Sequence, residues 1–569
     1  MKRKQKEVAF ENLPGCAIEF IKLVIRKMRY RKKVRADVMA ELVGHFEDEL
    51  KNCTTDDEKE QKAQKLIEDF GDVKLLAVLL RRAKKRCRPL WQKAIVRSLA
   101  VIGVIILYLL LCSARLIIGK PSVKVDYTIR LEELASQGRD ESLNARRYFD
   151  RAVELAGEGP SLPEILEKCS HKWPGDMNEP QRQAVVKLLA ENQASFDALK
   201  QGLEKPYYWA DYTGKAKIET DKVLNWELVN YAKDQRAKNQ PWYWSNFMGT
   251  EFIKNTLQSL AGYRRIAQRL ALQILWKAYT GDVKDALNWA LVLHKFGARL
   301  QGKGLLTEQL VGTALEGLAS EKIFTVLDKI DVQTDVLKNI QEELERQCNS
   351  QEAIINLQAE KVFWYDYIQR TFTDDGKGSG RVLKQGLPLV TGDLQDTLIG
   401  FFFGYPDRKE FTAIIDQYFE QTNRLMEIPP LQLQRQNLEW DKLEEIANKC
   451  FMLEILGPAY IRVNQIKWRC KTGRAALLTT LSILRYKKDT GVYPKDLDIL
   501  ISDGYLKNLP IDPYSNKPLV YKKTENSFTI YSVGCDLTDD NGEYYQDQWG
   551  QIRRKWADSG DWVFWPVVK

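Results

Sequence analysis

A chain of 569 residues, 44% of them hydrophobic, can bury a sizeable core and is long enough to hold several domains. Its net charge of +9 is unevenly placed: residues 1–97 hold 25 Lys and Arg against 15 Asp and Glu, a balance of +10, which leaves −1 for the remainder. Nine cysteines form no C-x-x-C pair and three histidines no H-E-x-x-H pattern, so the chain carries no zincin or CxxC redox signature.

Read from the amino terminus, the first elements are short amphipathic helices. In RADVMAELVGHFEDEL, Val38, Leu42, Phe46 and Leu50 recur every four residues with Met39 and Val43 beside them, an apolar stripe against a charged face. In TTDDEKEQKAQKLIEDFG, Thr55 and Glu58 have capping-box spacing, Ala63, Leu66, Ile67 and Phe70 form the stripe, and Gly71 suits the left-handed position after the last turn. Asp72 caps the next helix, whose Leu75, Leu76 and Leu79 are expected to complete a small bundle within residues 1–92. The stretch from Val34 to Arg82 resembles the HAAS-type helical domain that precedes membrane segments in many bacterial proteins, with Leu42, His45, Phe46 and Phe70-Gly71-Asp72 at matching positions. That resemblance implies a regulatory or protein-contact role inside the cell. His45, alone on its helix, is read as a structural residue in preference to a ligand or sensor.

Residues 93–118 form the candidate membrane span. Ser98 to Ala114 is a run of 17 residues without a charge, flanked by Arg97 and Arg115, and extension to Ala94 and Ile118 gives enough helix to cross a bilayer. A buried core helix is the competing reading, and a cleaved signal peptide is excluded by the segment's depth in the chain and the lack of a small-residue cleavage pattern. Arg81 to Arg97 carries eight basic residues, whereas the equally long stretch from Leu116 carries three, Lys120, Lys124 and Arg130. The positive-inside rule then places the amino terminus in the cytoplasm of a single-pass inner-membrane protein and the long remainder outside. The basic runs are assigned to topology and anionic lipid, and no nucleic-acid partner is expected.

From 119 to 471 the pattern is mainly helical. Ile266, Leu270, Ile274 and Trp276 mark one helix, Thr280-Gly281-Asp282 a break, and Ala286, Leu287, Ala290, Leu291 and Leu293 the next. The large-small alternation resembles tetratricopeptide-type hairpins, but no 34-residue repeat is present, so an irregular solenoid or bundle is expected. Aromatic clusters at Tyr207 to Tyr212 and Trp242 to Phe247 could stack sugars, although core packing is the preferred reading. Phe372 to Val382 is glycine-rich without the hydroxyl a P-loop needs after Lys377, and is expected to be a flexible connection. His45, His171 and His294 build no catalytic pattern, and Lys471-Thr472-Gly473 is a lone tripeptide. Cys169, Cys348, Cys450, Cys470 and Cys535 would face an oxidising space, where disulfides are allowed but not implied.

Residues 472–569 read as a small α+β module: a helix through Tyr486 ended by Gly491 and Pro494, a short helix, Pro-rich turns, and a hairpin of LVYKK and SFTIY around Thr524 to Asn526. Tyr493-Pro494, Leu509-Pro510, Asp512-Pro513, Pro518, Tyr521, Tyr531-Ser532, Gly534 and Asp536 stand in an order that resembles the globular domain of type II secretion major pseudopilins. In that family the following acidic loop binds calcium. Carried over by position, Asp536 is the firmest ligand, Asp539 and Asp540 come next, and Asp558 or Asp561 would close the site. Clustered carboxylates and main-chain carbonyls between glycines suit a hard cation, whereas a solvated turn is the alternative; Leu537 and Gln548 fall where an EF-hand needs carboxylates. About 360 residues separate Ala114 from Arg474, so assembly into a pseudopilus is not expected. The fold class is thus mainly α, and the leading expectation is a non-enzymatic interaction, scaffold or signalling protein with lipid and protein partners on both sides of the membrane. A secretion-system component and an envelope glycan hydrolase are the alternatives.

Overall fold

Two separate hydrophobic cores organise the chain, one within Met1–Ser113 and one within Ala114–Lys569. The structure is a computed structural model that describes residues 10, 12–86, 90–157, 160–167, 171–213, 251–349, 354–387, 405–436, 438–543 and 559–567. It is mainly helical with few strands.

The smaller unit contains α1 (Gly15–Lys27), α2 (Lys32–Leu50), α3 (Asp56–Phe70) and α4 (Val73–Arg86). The stripe on α2 is buried as its spacing requires, with Val38 and Phe46 fully enclosed. Local chemistry sets the ends of α3: Thr55 and Glu58 form the reciprocal capping box, and Gly71 leaves the helix at φ 67°. Asp72 Oδ1 then accepts from the Leu75 amide at 2.9 Å and starts α4. Two expectations are corrected. Leu76 packs on the core as expected, but Leu75 and Leu79 point outward, and Ala77 and Leu80 take their place. The bundle also needs α1, whose Ala17, Phe20, Ile21 and Val24 are all buried.

Helix α5 (Leu90–Ile117) contains one segment, Ala94–Ile117, long and apolar enough to cross a membrane. No part of its 18-residue apolar window is buried by protein, which removes the core-helix alternative.

In the larger unit the Glu251–Tyr279 and Val283–Arg299 helices form the expected hairpin. Gly281 turns it at φ 94°, and the Asp282 carboxylate caps the second helix by accepting from the Asp285 amide. The Leu306–Lys329 helix packs closely on the Val283–Arg299 helix because Gly297 and Gly312 face each other; a Cβ on Gly297 would lie 2.5 Å from the Gly312 carbonyl oxygen. The Arg146–Ala156 and Glu179–Leu203 helices pair likewise, and the Thr334–Asn349 helix lies on a 40-residue helix, Phe451–Thr490. That helix runs unbroken through residue 471, where a domain boundary was expected, and the core around it is continuous with that of the strands. The glycine-rich stretch is not a loose connection. Thr373 and Arg381 exchange hydrogen bonds, the Asp375 carboxylate accepts from the amides of Lys377 and Ser379, and Gly376 and Gly378 take φ 84° and 89°.

The carboxy-terminal strands are β1 (Ile511–Asp512), β2 (Lys517–Pro518), β3 (Val520–Lys523), β4 (Phe528–Ser532) and β5 (Trp562–Trp565). β1 pairs with β2, and β3, β4 and β5 form an antiparallel sheet with β4 in the middle. The β3–β4 hairpin is the expected one, with Val520 opposite Tyr531 and Lys523 opposite Phe528.

Separate cores imply separate unfolding. Phe46→Ala should cost the small unit about 3–5 kcal/mol by opening a cavity. Calorimetry of the whole protein should show one transition lowered and the other unmoved; a joint shift would mean that the cores fold as one.

Candidate functional site

The acidic loop links the end of β4 to the start of β5. Ser532 donates to Asp512 Oδ2 at 2.8 Å, which fastens the end of β4 to β1. Gly534 then passes so close to Gly560 that a Cβ would lie 2.6 Å from the Gly560 carbonyl oxygen. The four proposed ligands have distinct surroundings. Asp536 accepts from the Thr538 amide at 3.1 Å and the Gly560 amide at 2.6 Å, so it ties the two ends of the loop together. Asp539 accepts from the Tyr531 hydroxyl at 2.8 Å and the Asn541 amide at 2.9 Å. Asp540 lies half-buried beside Asn541, whose carbonyl and side-chain oxygens receive Lys522 Nζ. Asp561 is only 5% exposed; its Oδ2 accepts from the Gly542 amide at 2.6 Å, whereas its buried Oδ1 has no hydrogen-bond partner among the described residues.

Burial pushes the Asp561 carboxyl up to about 6; the loop amides oppose that shift, and the negative charges of Asp539 and Asp540 add to it. Loop amides thus engage both oxygens of Asp536 and one each of Asp539 and Asp561, and among the described residues no three His, Cys, Asp or Glu side chains converge in a metal-holding group. Asp561 stands apart by its burial: a buried oxygen with no donor among the described residues, next to like charges, is the kind of group that a hard cation satisfies with help from main-chain carbonyls. Asp558 lies outside the described residues.

A half-open cleft of about 1560 Å³ lies in the same unit, walled by Trp173, Leu318, Phe324, Ile466, Phe564 and Val567. At its base the Glu316 carboxylate, 2% exposed, receives both Arg474 Nε and Nη2, the latter at 2.6 Å. His294 Nε2 stands 3.4 Å from Glu316, Gln301 donates at 2.8 Å and the Cys470 thiol at 3.4 Å. Burial alone would raise the Glu316 carboxyl, but the adjacent His294 and Arg474 charges hold it well below the usual carboxylate range. Glu316 is therefore locked as an anion, which suits it to fastening helices and not to exchanging protons near neutrality.

The aromatic cluster proves to be core. Tyr208, Trp209 and Tyr212 are buried, Asn144 holds the Trp209 backbone through both its N–H and its carbonyl, and the two tyrosine hydroxyls converge on Glu308. Trp209 accordingly offers no face to a sugar; Trp242 to Phe247 lie outside the described residues. Burial pushes the Glu308 carboxyl up to about 7 against the pull of those hydroxyls and the Leu305 amide.

His45 packs edge-on against Phe70, as a structural residue does, and His171 is exposed. Within the lone tripeptide, Lys471 covers the Trp468 ring and Thr472 bonds back to the Trp468 carbonyl, so it is ordinary helix interior. Cys348 and Cys470 are free thiols, Cys450 is buried, and Cys169 falls outside the described residues. Glu308, Glu316 and Arg474 escaped the sequence search because the tyrosine hydroxyls on Glu308 and the Glu316–Arg474 pair join positions 96 to 158 apart. The chain matches no protein-family model, curated protein or solved structure.

Two outcomes follow. Glu316→Gln should cost the larger unit about 3–5 kcal/mol, since it strands the Arg474 charge, and Glu316→Leu with Arg474→Met should cost less than that single change. Chemical denaturation measures both. For Asp561 the folded carboxyl binds its proton more tightly than the unfolded one, so its contribution is present below the ordinary value of about 3.9 and is lost as pH rises through about 6. Asp561→Asn should therefore shrink the fall in melting temperature between about pH 4 and 7. An unchanged fall would assign the pH dependence to other groups.

Proposed function

We propose that this chain is a single-pass membrane protein whose small helical unit lies in the cytoplasm and whose larger helical unit lies on the opposite side, serving contact or signalling between the two. The uncovered apolar surface of Ala94–Ile117 is the observation that carries this reading. The charge step from +10 before Ser98 to −1 after it supplies the orientation. The cleft, whose wall mixes Trp173, Phe324 and Phe564 with Lys172, Arg264, Glu321 and Asp328, supports an adaptor that holds a protein segment, and no reaction is assigned to it.

The likeness of the first unit to HAAS-type domains and of the last ninety or so residues to pseudopilin globular domains belongs to the same proposal. For the second, residues that carry the likeness touch one another: the Tyr521 hydroxyl donates to the Pro494 carbonyl, and Ser532 to Asp512. A structural calcium ion in the loop is part of this reading, with Asp561 as the residue that gains most from it.

Alkaline carbonate should leave the full-length protein in membranes, and protease added to sealed spheroplasts should digest the larger unit while sparing the smaller. Ile105→Arg should raise the cost of the span by about 2.5–3.5 kcal/mol and release a fraction of the protein. Extraction of the unaltered protein, or protection of the larger unit, rejects the assignment. Calcium at millimolar concentration should raise the melting temperature of the unaltered protein and not that of Asp561→Asn; no rise in either rejects the cation while leaving the span untouched.

A further inference from the structure

The face of α4 that turns away from the bundle core has the composition of a membrane-surface helix. Leu75, Val78 and Leu79, spaced three and four residues apart, are 60%, 44% and 51% exposed, whereas Val73, Leu76, Ala77 and Leu80 face the core. Lys74, Arg81, Arg82 and Lys85 border that strip and are exposed. Among the described residues the ion pairs of this unit are Lys59–Asp56, Lys62–Glu49 and Lys84–Glu41, and they use none of those four cations. Apolar side chains edged by unneutralised Lys and Arg are what an interfacial helix presents to anionic lipid.

The chain itself brings the strip near a bilayer. Lys85 and Leu90, the first residue of α5, are five positions apart. Even fully extended chain of that length spans no more than about 18 Å.

We propose that this face of α4 lies on the anionic surface of the membrane that α5 crosses, with Leu75, Val78 and Leu79 among the outermost acyl carbons and the four cations on lipid phosphates. It rests on the assignment of α5 as a span. Charge complementarity selects lipid over a second copy of the chain: a copy would set the same cations against themselves, whereas anionic headgroups neutralise them. The small unit is then held by two contacts, one across the bilayer and one along it, and the second depends on lipid charge.

The test uses the full-length protein at one copy per nanodisc, in phosphatidylcholine alone or mixed with phosphatidylglycerol. Lysine acetylation is followed peptide by peptide by mass spectrometry. Lys74 and Lys85 should label about tenfold more slowly with phosphatidylglycerol present, relative to exposed Lys65 on α3. Leu75→Ser with Leu79→Ser should remove the difference without lowering the unit's melting temperature, because neither side chain is in the core. Equal labelling in the two lipids overturns the proposal. Slowing that requires two copies per disc, whatever the lipid, overturns it too and makes the strip a contact between copies. Release of the unaltered protein by alkaline carbonate is a separate result: it removes the span on which the proposal stands.

Discussion

Between Ile95 and Ile117 thirteen large apolar side chains of one helix stand exposed. Burying each is worth about 1.5–3 kcal/mol, so together they hold more free energy than the 5–15 kcal/mol that stabilises a typical domain. Water is therefore an untenable neighbour for this helix, and neither hydrophobic core takes up its apolar window. Other features of the chain fall into order around that constraint. The apolar segment stands between the two cores in the sequence, and the basic excess precedes it, the step that the proposed topology reads as the cytoplasmic side.

Inside the larger unit the recurring difficulty is how to bury charge. Glu308 and Glu316 lie on one helix, two turns apart, and both are enclosed. Their surroundings push them in opposite directions. Glu316 meets Arg474 and His294 and stays ionised, while Glu308 meets only hydroxyls and an amide and is raised. The first fastens the Leu306–Lys329 helix to Phe451–Thr490; the second gathers Tyr208 and Tyr212 onto the same helix. Ionic and neutral burial are thus used side by side, and the partners supplied by distant segments decide which.

That dependence on distance also separates what could be read in the sequence from what could not. The capping box of Thr55 and Glu58, the Gly281-Asp282 break and the β3–β4 hairpin are decided by residues within a few positions of one another, and each is found as read. Glu308 and Glu316 look like ordinary helical acids until the fold brings their partners to them. β5 was missed for another reason: all four residues of WVFW are buried, so no polar alternation betrays the strand. The α1 stripe, in contrast, was legible at helical spacing in Ala17, Phe20, Ile21 and Val24. Leu75 and Leu79 misled because a leucine on a helix is read as core by default, although apolar side chains supply much of every protein surface.

The acidic loop shows how the span bears on chemistry far along the chain. Asp561 must settle its charge somehow, since its Oδ1 has no donor among the described residues and the negative charges of Asp539 and Asp540 oppose its ionisation. A proton does so below about pH 6, and a hard cation does so at any pH where the carboxylates are ionised. These routes make opposite demands on the surroundings. The proton route weakens the loop as the medium becomes neutral, whereas the cation route ties it to the divalent ion concentration. In the proposed topology the loop lies across the membrane from the small unit. The acidity and divalent-ion level around the loop then decide which of the two stabilises the β4–β5 connection.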